Sequence, residues 1–203
     1  MGSIFNLYFH GDRKVKRVAL SFDDGPSKET EKILDILKKY NVKATFFICG
    51  KNIKGREKII KRIVKEGHEI GNHTYNHPSL LVRSKKYSID EIVKTDIELR
   101  KLKIKTTLFR APYLQLGIGA FLACKKLNKK IIFGNLFWDW KLDLKNDDII
   151  HDILKKVRNG SIIILHDHLE NIGRHKRIID LTERTCEKLK ERKYNLVKIS
   201  DII

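Results

Sequence analysis

VKRVALSFDDGPSKETEKILDILKKYNVKATFFICG, residues 15–50, sets the architecture of the whole chain. Residues 15–22 are β-rich. Residues 29–40 carry Ile33, Leu34, Ile36 and Leu37 at helical spacing, and 44–48 (ATFFI) are a second β-rich run. Neither run alternates apolar with polar, so each suits a parallel strand covered by helices. Strand, helix and strand in that order make a right-handed crossover. Between them stands Asp23-Asp24-Gly25-Pro26, two carboxylates at a strand end followed by a forced turn.

The same alternation continues outward. Helical spacing predicts helices over 57–66, 89–102, 119–127, 147–157 and 178–192. Strands are predicted at 68–71, 106–109, 131–133 (extending towards 137), 161–165 and 194–199. Seven strands with six helices describe an α/β single domain, either a doubly wound sheet or a β/α barrel. Residues 1–14 read as a short N-terminal extension to a domain at 15–203. No GxGxxG or GxxxxGK[ST] follows the first strand, which weighs against nucleotide-binding open sheets.

Composition narrows the class. At 203 residues and 41% hydrophobic, the chain can bury a core. Cys49, Cys124 and Cys186 form no CxxC pair, so neither a disulfide scaffold nor a cysteine zinc finger is expected, and a reducing compartment fits. No apolar run reaches membrane-spanning length. The opening MGSIFNLYFH does not read as a signal peptide. The expectation is therefore a cytoplasmic protein, or a secreted or cell-surface one if a leader has been removed. Net charge is +18, from 31 Lys and 12 Arg against 25 acids. The lysines are spread along the chain, which favours solvated helix faces over a dedicated polyanion groove. No basic motif interleaved with aromatics appears, so nucleic acid is not an expected partner.

Chemistry-bearing residues recur in one kind of place. Asp23 and Asp24, His73 and His77 in GNHTYNHP, Arg110 after TLF, Asp139 and His166-Asp167 after SIIIL all follow predicted strands. In a β/α barrel those ends form one face, where active sites assemble. Five groups on one face favour the barrel. Two His four apart with a nearby Asp suit a catalytic metal site with open positions. A His emerging from an apolar strand beside such a site suits a general acid.

These motifs resemble those of the polysaccharide deacetylase family (carbohydrate esterase family 4, the NodB-homology domain). SFDDGP (21–26), HTYNHP (73–78), RAPY (110–113), DW (139–140) and LHD (165–167) stand in the family's order, supported by ATFFICG and EGHEIGNH. The resemblance implies a distorted (β/α)7 barrel that removes N-acetyl groups from amino sugars. It implies Asp24, His73 and His77 as ligands of one divalent transition ion, zinc first, with cobalt, nickel or manganese also suited. Asp23 would be the general base, oriented by Arg110, and His166 the general acid, tuned by Asp139. The Tyr113 N–H would hold the oxyanion. Trp140, Leu165 and Pro112 would contact substrate. The pattern departs from the family where Leu136 replaces an Asp, Phe133 replaces a Trp, and residues 115–118 lack small polar side chains. The expected partner is a carbohydrate. The +18 charge suits a phosphate-bearing sugar or peripheral contact with an anionic membrane. The same residues also admit a hydrolase of small linear or cyclic amides, or a glycan binder with a vestigial site.

Overall fold

The computed structural model describes residues 6–137, 144–167 and 174–203, without the side chains of residues 137, 174 and 175. Its elements are β1 (Leu7–Tyr8), β2 (Arg17–Asp23), α1 (Lys28–Lys39), β3 (Thr45–Ile48), α2 (Glu57–Lys65), β4 (Glu69–Asn72), α3 (Lys85–Lys101), β5 (Leu108–Phe109), α4 (Ile118–Lys126), β6 (Lys130–Ile132), β7 (Leu136–Phe137), α5 (Asn146–Lys156), β8 (Ile162–His166), α6 (Arg174–Glu191) and β9 (Asn195–Val197). The strands form one sheet in the order β1-β6-β5-β4-β3-β2-β8-β7, with β9 also on β2. Every pairing is parallel. The sheet curls into the distorted barrel of a single α/β domain.

Two sequence expectations change in detail. The run 131–137 is two strands, not one: β6 lies beside β5, whereas β7 lies beside β8 at the other end of the sheet. The chain crosses the barrel's seam at residues 133–135. Residues read as an extension contribute β1, which pairs with β6. At two residues, β1 is too short to show a period.

Alternation in β2 sorts the barrel's two faces. Val18, Leu20 and Phe22 pack outward with Ile33, Leu34 and Leu37 of α1, while Ala19 packs inward with Phe47, Leu108, Ile132 and Ile162. Ser21 and Asp23 therefore also point inward. Capping of α1 falls to Ser27, not to either aspartate: its Oγ accepts from Glu29 N–H at 3.1 Å, and Thr30 Oγ1 accepts from Ser27 N–H at 2.8 Å. Both carboxylates of the Asp-Asp pair are thus left for other work. Asp167 secures the same turn. It accepts from Thr30 Oγ1 at 2.6 Å and sits where a Cβ on Gly25 would come within 2.2 Å of it, so only glycine fits there.

At the opposite end of the strands, buried His68 accepts from Ala44 N–H on Nδ1 at 3.2 Å and stands edge-on to Phe46. Burial pulls its pKa down to about 4, helped by Lys43 and opposed by Glu66. Folding thus favours the neutral ring. Its contribution is complete above the unfolded pKa near 6.5 and is lost as pH falls towards 4. Between pH 7 and pH 4 the wild type should lose about 3 kcal/mol more unfolding free energy than His68→Asn. Parallel urea-unfolding curves for the two proteins across that range would show that His68 carries no such linkage.

Candidate active site

Strand register gathers the site. Asp23 is paired with Phe47 on one side and His166 on the other, Ile48 with Asn72, and Asn72 with Phe109. Parallel strands in this register put Asp23-Asp24, His73, Arg110 and His166 at one rim. Parity keeps Asp23 and His166 on the inner face.

Asp24, His73 and His77 offer three donor atoms lying within 4.8 Å of one another. Oδ1 of Asp24 is 3.3 Å from Nε2 of His73 and 3.0 Å from Nε2 of His77. That oxygen is buried, yet it makes no hydrogen bond among the described residues. Nδ1 of His73 is 2.8 Å from the Arg110 carbonyl, which can only accept, so the ring proton sits there. In the neutral ring Nε2 then carries the lone pair. Three lone-pair donors aimed at one point suit a cation, and the carbonyl fixes the tautomer that a metal needs. Burial raises the Asp24 carboxyl, but hydrogen bonding from His73 and His77 and the charge of His73, acting when those rings carry their second proton, bring it well below the usual carboxylate range. It is therefore an anionic donor.

The backbone is bent to make this geometry. Asp24 (φ 76°), Thr74 (66°), His77 (62°), Tyr113 (57°) and Leu114 (56°) all adopt the left-handed region without being glycine. Such residues cost of order 1 kcal/mol or more each and persist only where neighbours enforce them. The enforcer in the His loop is Glu91 of α3, which is 3% exposed. Its carboxylate accepts from the N–H of Tyr75 (3.1 Å), the N–H of Asn76 (2.8 Å) and Asn76 Nδ2 (2.8 Å). Asn72 Oδ1 adds a bond from Thr74 N–H at 2.9 Å. Glu91→Gln removes the charged acceptor between the two His and should weaken binding of a divalent ion about tenfold or more in a metal titration. An unchanged affinity would show that the loop holds its shape without it.

Asp23 is 3% exposed and pairs with Arg110, whose Nη1 lies 2.6 Å from Asp23 Oδ1. Arg110 is wholly buried. It donates further to Ser21 Oγ (2.9 Å), the Ile132 carbonyl (3.3 Å) and the Phe133 carbonyl (3.0 Å), and lies 4.0 Å over the Phe47 ring. Burial pulls its pKa down and Asp23 pushes it up. It stays a cation. The other Asp23 oxygen is 4.0 Å from His73 Nε2, beside the three donors.

Across the donors, the Tyr113 ring stands edge-on to His77 at 4.7 Å and is 65% exposed. The hydrogen bonds of its turn run from Leu114 N–H to the Ala111 carbonyl and from Gln115 N–H to the Pro112 carbonyl, and neither uses the Tyr113 N–H. Pro112 is buried at the start of that turn. Leu165 differs from expectation. It points opposite to His166 and is buried on the helix side of β8 with Phe22, so it does not line the cleft. Asp139 and Trp140 lie outside the described residues. Cys49, beside the site, is buried, and burial raises its thiol well above the ordinary value. It is inert packing.

The sequence profile described as polysaccharide deacetylase matches residues 10–131. The chain is 40% identical over 161 residues to a peptidoglycan-N-acetylglucosamine deacetylase of Bacillus cereus, covering 78% of this chain. It spans 58% of that relative's length and 30% of another curated relative's. The Bc1960 peptidoglycan N-acetylglucosamine deacetylase, crystallised with 4-naphthalen-1-yl-N-oxidanyl-benzamide, superposes with a TM-score of 0.90 at 32% identity, covering 98% of this chain and 93% of that one. A Bacillus anthracis protein described as a CE4 family pseudoenzyme superposes at 0.86 with 25% identity, covering 97% and 68%. A fold shared with a pseudoenzyme cannot by itself carry activity. The residues at the rim must.

Proposed function

Because the chain belongs to the polysaccharide deacetylase family, we propose that its rim is a working site: a metal-dependent hydrolase of N-acetyl groups on an amino-sugar glycan. One observation supports this above the rest. Buried Asp24 Oδ1 faces two imidazole nitrogens without a hydrogen bond, next to a second carboxylate held by a buried arginine.

Asp24, His73 and His77 would hold the ion. A divalent transition ion there supplies Lewis-acid polarisation of the acetyl carbonyl and acidifies water towards neutral pH. Arg110 fixes one oxygen of Asp23, which leaves the other to take the proton of the attacking water. As the water oxygen bonds to the carbonyl carbon, charge develops on the carbonyl oxygen, and the Tyr113 N–H donates to it. His166, in register with Asp23, gives a proton to the amine nitrogen as the carbon–nitrogen bond breaks. Acetate and the free amine are the products.

The test is acetate release from N-acetylglucosamine oligomers, peptidoglycan fragments and a phosphate-linked N-acetylhexosamine, with and without a chelator. Release should require a divalent ion and vanish in His73→Ala. Protein that holds the ion but releases nothing from any of these sugars would sink the deacetylase reading and leave small amides as the substrate class. Protein that holds no ion would leave a glycan binder.

A further inference from the structure

We propose that the apolar lip beside this site is a docking face for an anionic lipid bilayer. Of the large apolar side chains left exposed among the described residues, Leu81 (55%) and Val82 (90%) belong to a segment packed on the start of α4, which carries Ile118 (81%) and Leu122, and Tyr113 stands in the turn before it. The others lie elsewhere: Phe9 and Val15 between β1 and β2, Val64 on α2 and Ile97 on α3.

The lip is built, not incidental. Leu80 is bridged to Leu116, and a Cβ on Gly117 would stand 1.9 Å from the Leu81 carbonyl, so the 80–83 segment lies tight against the start of α4. A Cβ on Gly119 would likewise meet the Arg83 carbonyl at 2.1 Å. Only glycine permits this approach, and the result lifts Leu81 and Val82 outward beside Ile118. On α4, Ile118 and Leu122 are one turn apart and share a face. Tyr113 joins the lip to the site through its contact with His77.

Charge chooses the occupant. Arg83, Lys85 and Lys86 are exposed and directly follow Val82, with Asp90 the next exposed acid a turn further along α3. An apolar prow flanked by cations matches a bilayer that offers acyl chains below and anionic headgroups above. A soluble polyanion would use the cations and leave Leu81, Val82 and Ile118 in water. A bilayer uses both. The chain's +18 charge adds long-range attraction of the same sign. Docked this way, the rim opens onto the headgroup layer, where a membrane-tethered glycan would meet it.

Vesicle sedimentation tests this without any substrate, so its result is independent of whether the deacetylase reading holds. The full chain, with zinc, is mixed with vesicles of phosphatidylcholine alone or with about one third phosphatidylglycerol. Binding should need the anionic lipid and weaken with salt. It should fall at least tenfold in Val82→Asp/Ile118→Asp and roughly a hundredfold in Arg83→Gln/Lys85→Gln/Lys86→Gln. Unchanged melting temperature and zinc affinity confirm that each variant is folded. Three results would each overturn the proposal. One is equal binding to neutral vesicles. Another is binding that the apolar pair does not affect. The third is absence of vesicle binding with either a dimer or a raised KM for soluble oligomers traced to the same pair, which would give the lip to a second copy or to the glycan.

Discussion

Asp23→Asn should cut acetate release by a factor of about 10² to 10⁴ and still bind one zinc ion. The substitution keeps the side chain's size, and its amide oxygen can still accept from Arg110 at the position where the carboxylate now does so at 2.6 Å. It cannot take a proton. Asp23 is not among the three donors, Asp24, His73 and His77, so ion binding should survive. Activity and metal content therefore separate base from ligand, whereas Asp24→Asn should lose both. The measurement is kcat at saturating substrate with zinc stoichiometry on the same preparation. Activity within tenfold of wild type would remove Asp23 from the role of base. Loss of zinc along with activity would make it a ligand.

Arg110→Met should destabilise the fold by about 3–5 kcal/mol. Methionine fills much of the space of the stem, so cavity effects stay small. What it removes is the partner of a carboxylate that is 3% exposed, along with the donors serving Ser21 and the Ile132 and Phe133 carbonyls. A buried charge left without its partner costs far more than the pair contributed. The double variant Asp23→Asn/Arg110→Met should recover part of the loss, because the stranded charge is gone as well. Urea unfolding of the three variants gives the coupling. A single-variant loss below about 1 kcal/mol would mean that Asp23 is solvated well enough to stand alone.

Much of this rim was legible because of a chain regularity: in a parallel barrel every strand ends at the same face, so polar residues after apolar runs converge whatever the curvature. That rule found Asp23, Asp24, His73, His77, Arg110 and His166 without coordinates. It could not find Glu91. On the linear chain Glu91 is one more acid at the start of an amphipathic helix, and only the packing of α3 against the His loop turns it into the acceptor of three bonds. It could not grade Leu165 against His166 either, because assigning the cleft to a residue needs the parity of the strand, and one step reverses it. The split of residues 130–137 into β6 and β7 was hidden for a related reason. Both halves are apolar, and only Gly134-Asn135 between them marks the place where the partner changes. The apolar lip also escaped, because Leu81, Val82 and Ile118 become neighbours only through the glycine contacts between the 80–83 segment and the start of α4.

The pairing pattern also carries an assembly order. All three donor residues sit in the turns directly after β2 and β4, and β3 alone stands between those strands in both sequence and space. His166 arrives on β8 from the far end of the chain, zipping along the opposite edge of β2. Closing a short loop costs less entropy than closing a long one, so contacts at short sequence separation form first. The ion-binding triad thus precedes the proton donor along the chain and leaves the ribosome before it. A nascent chain would own a place for a metal well before it owned a complete reaction centre.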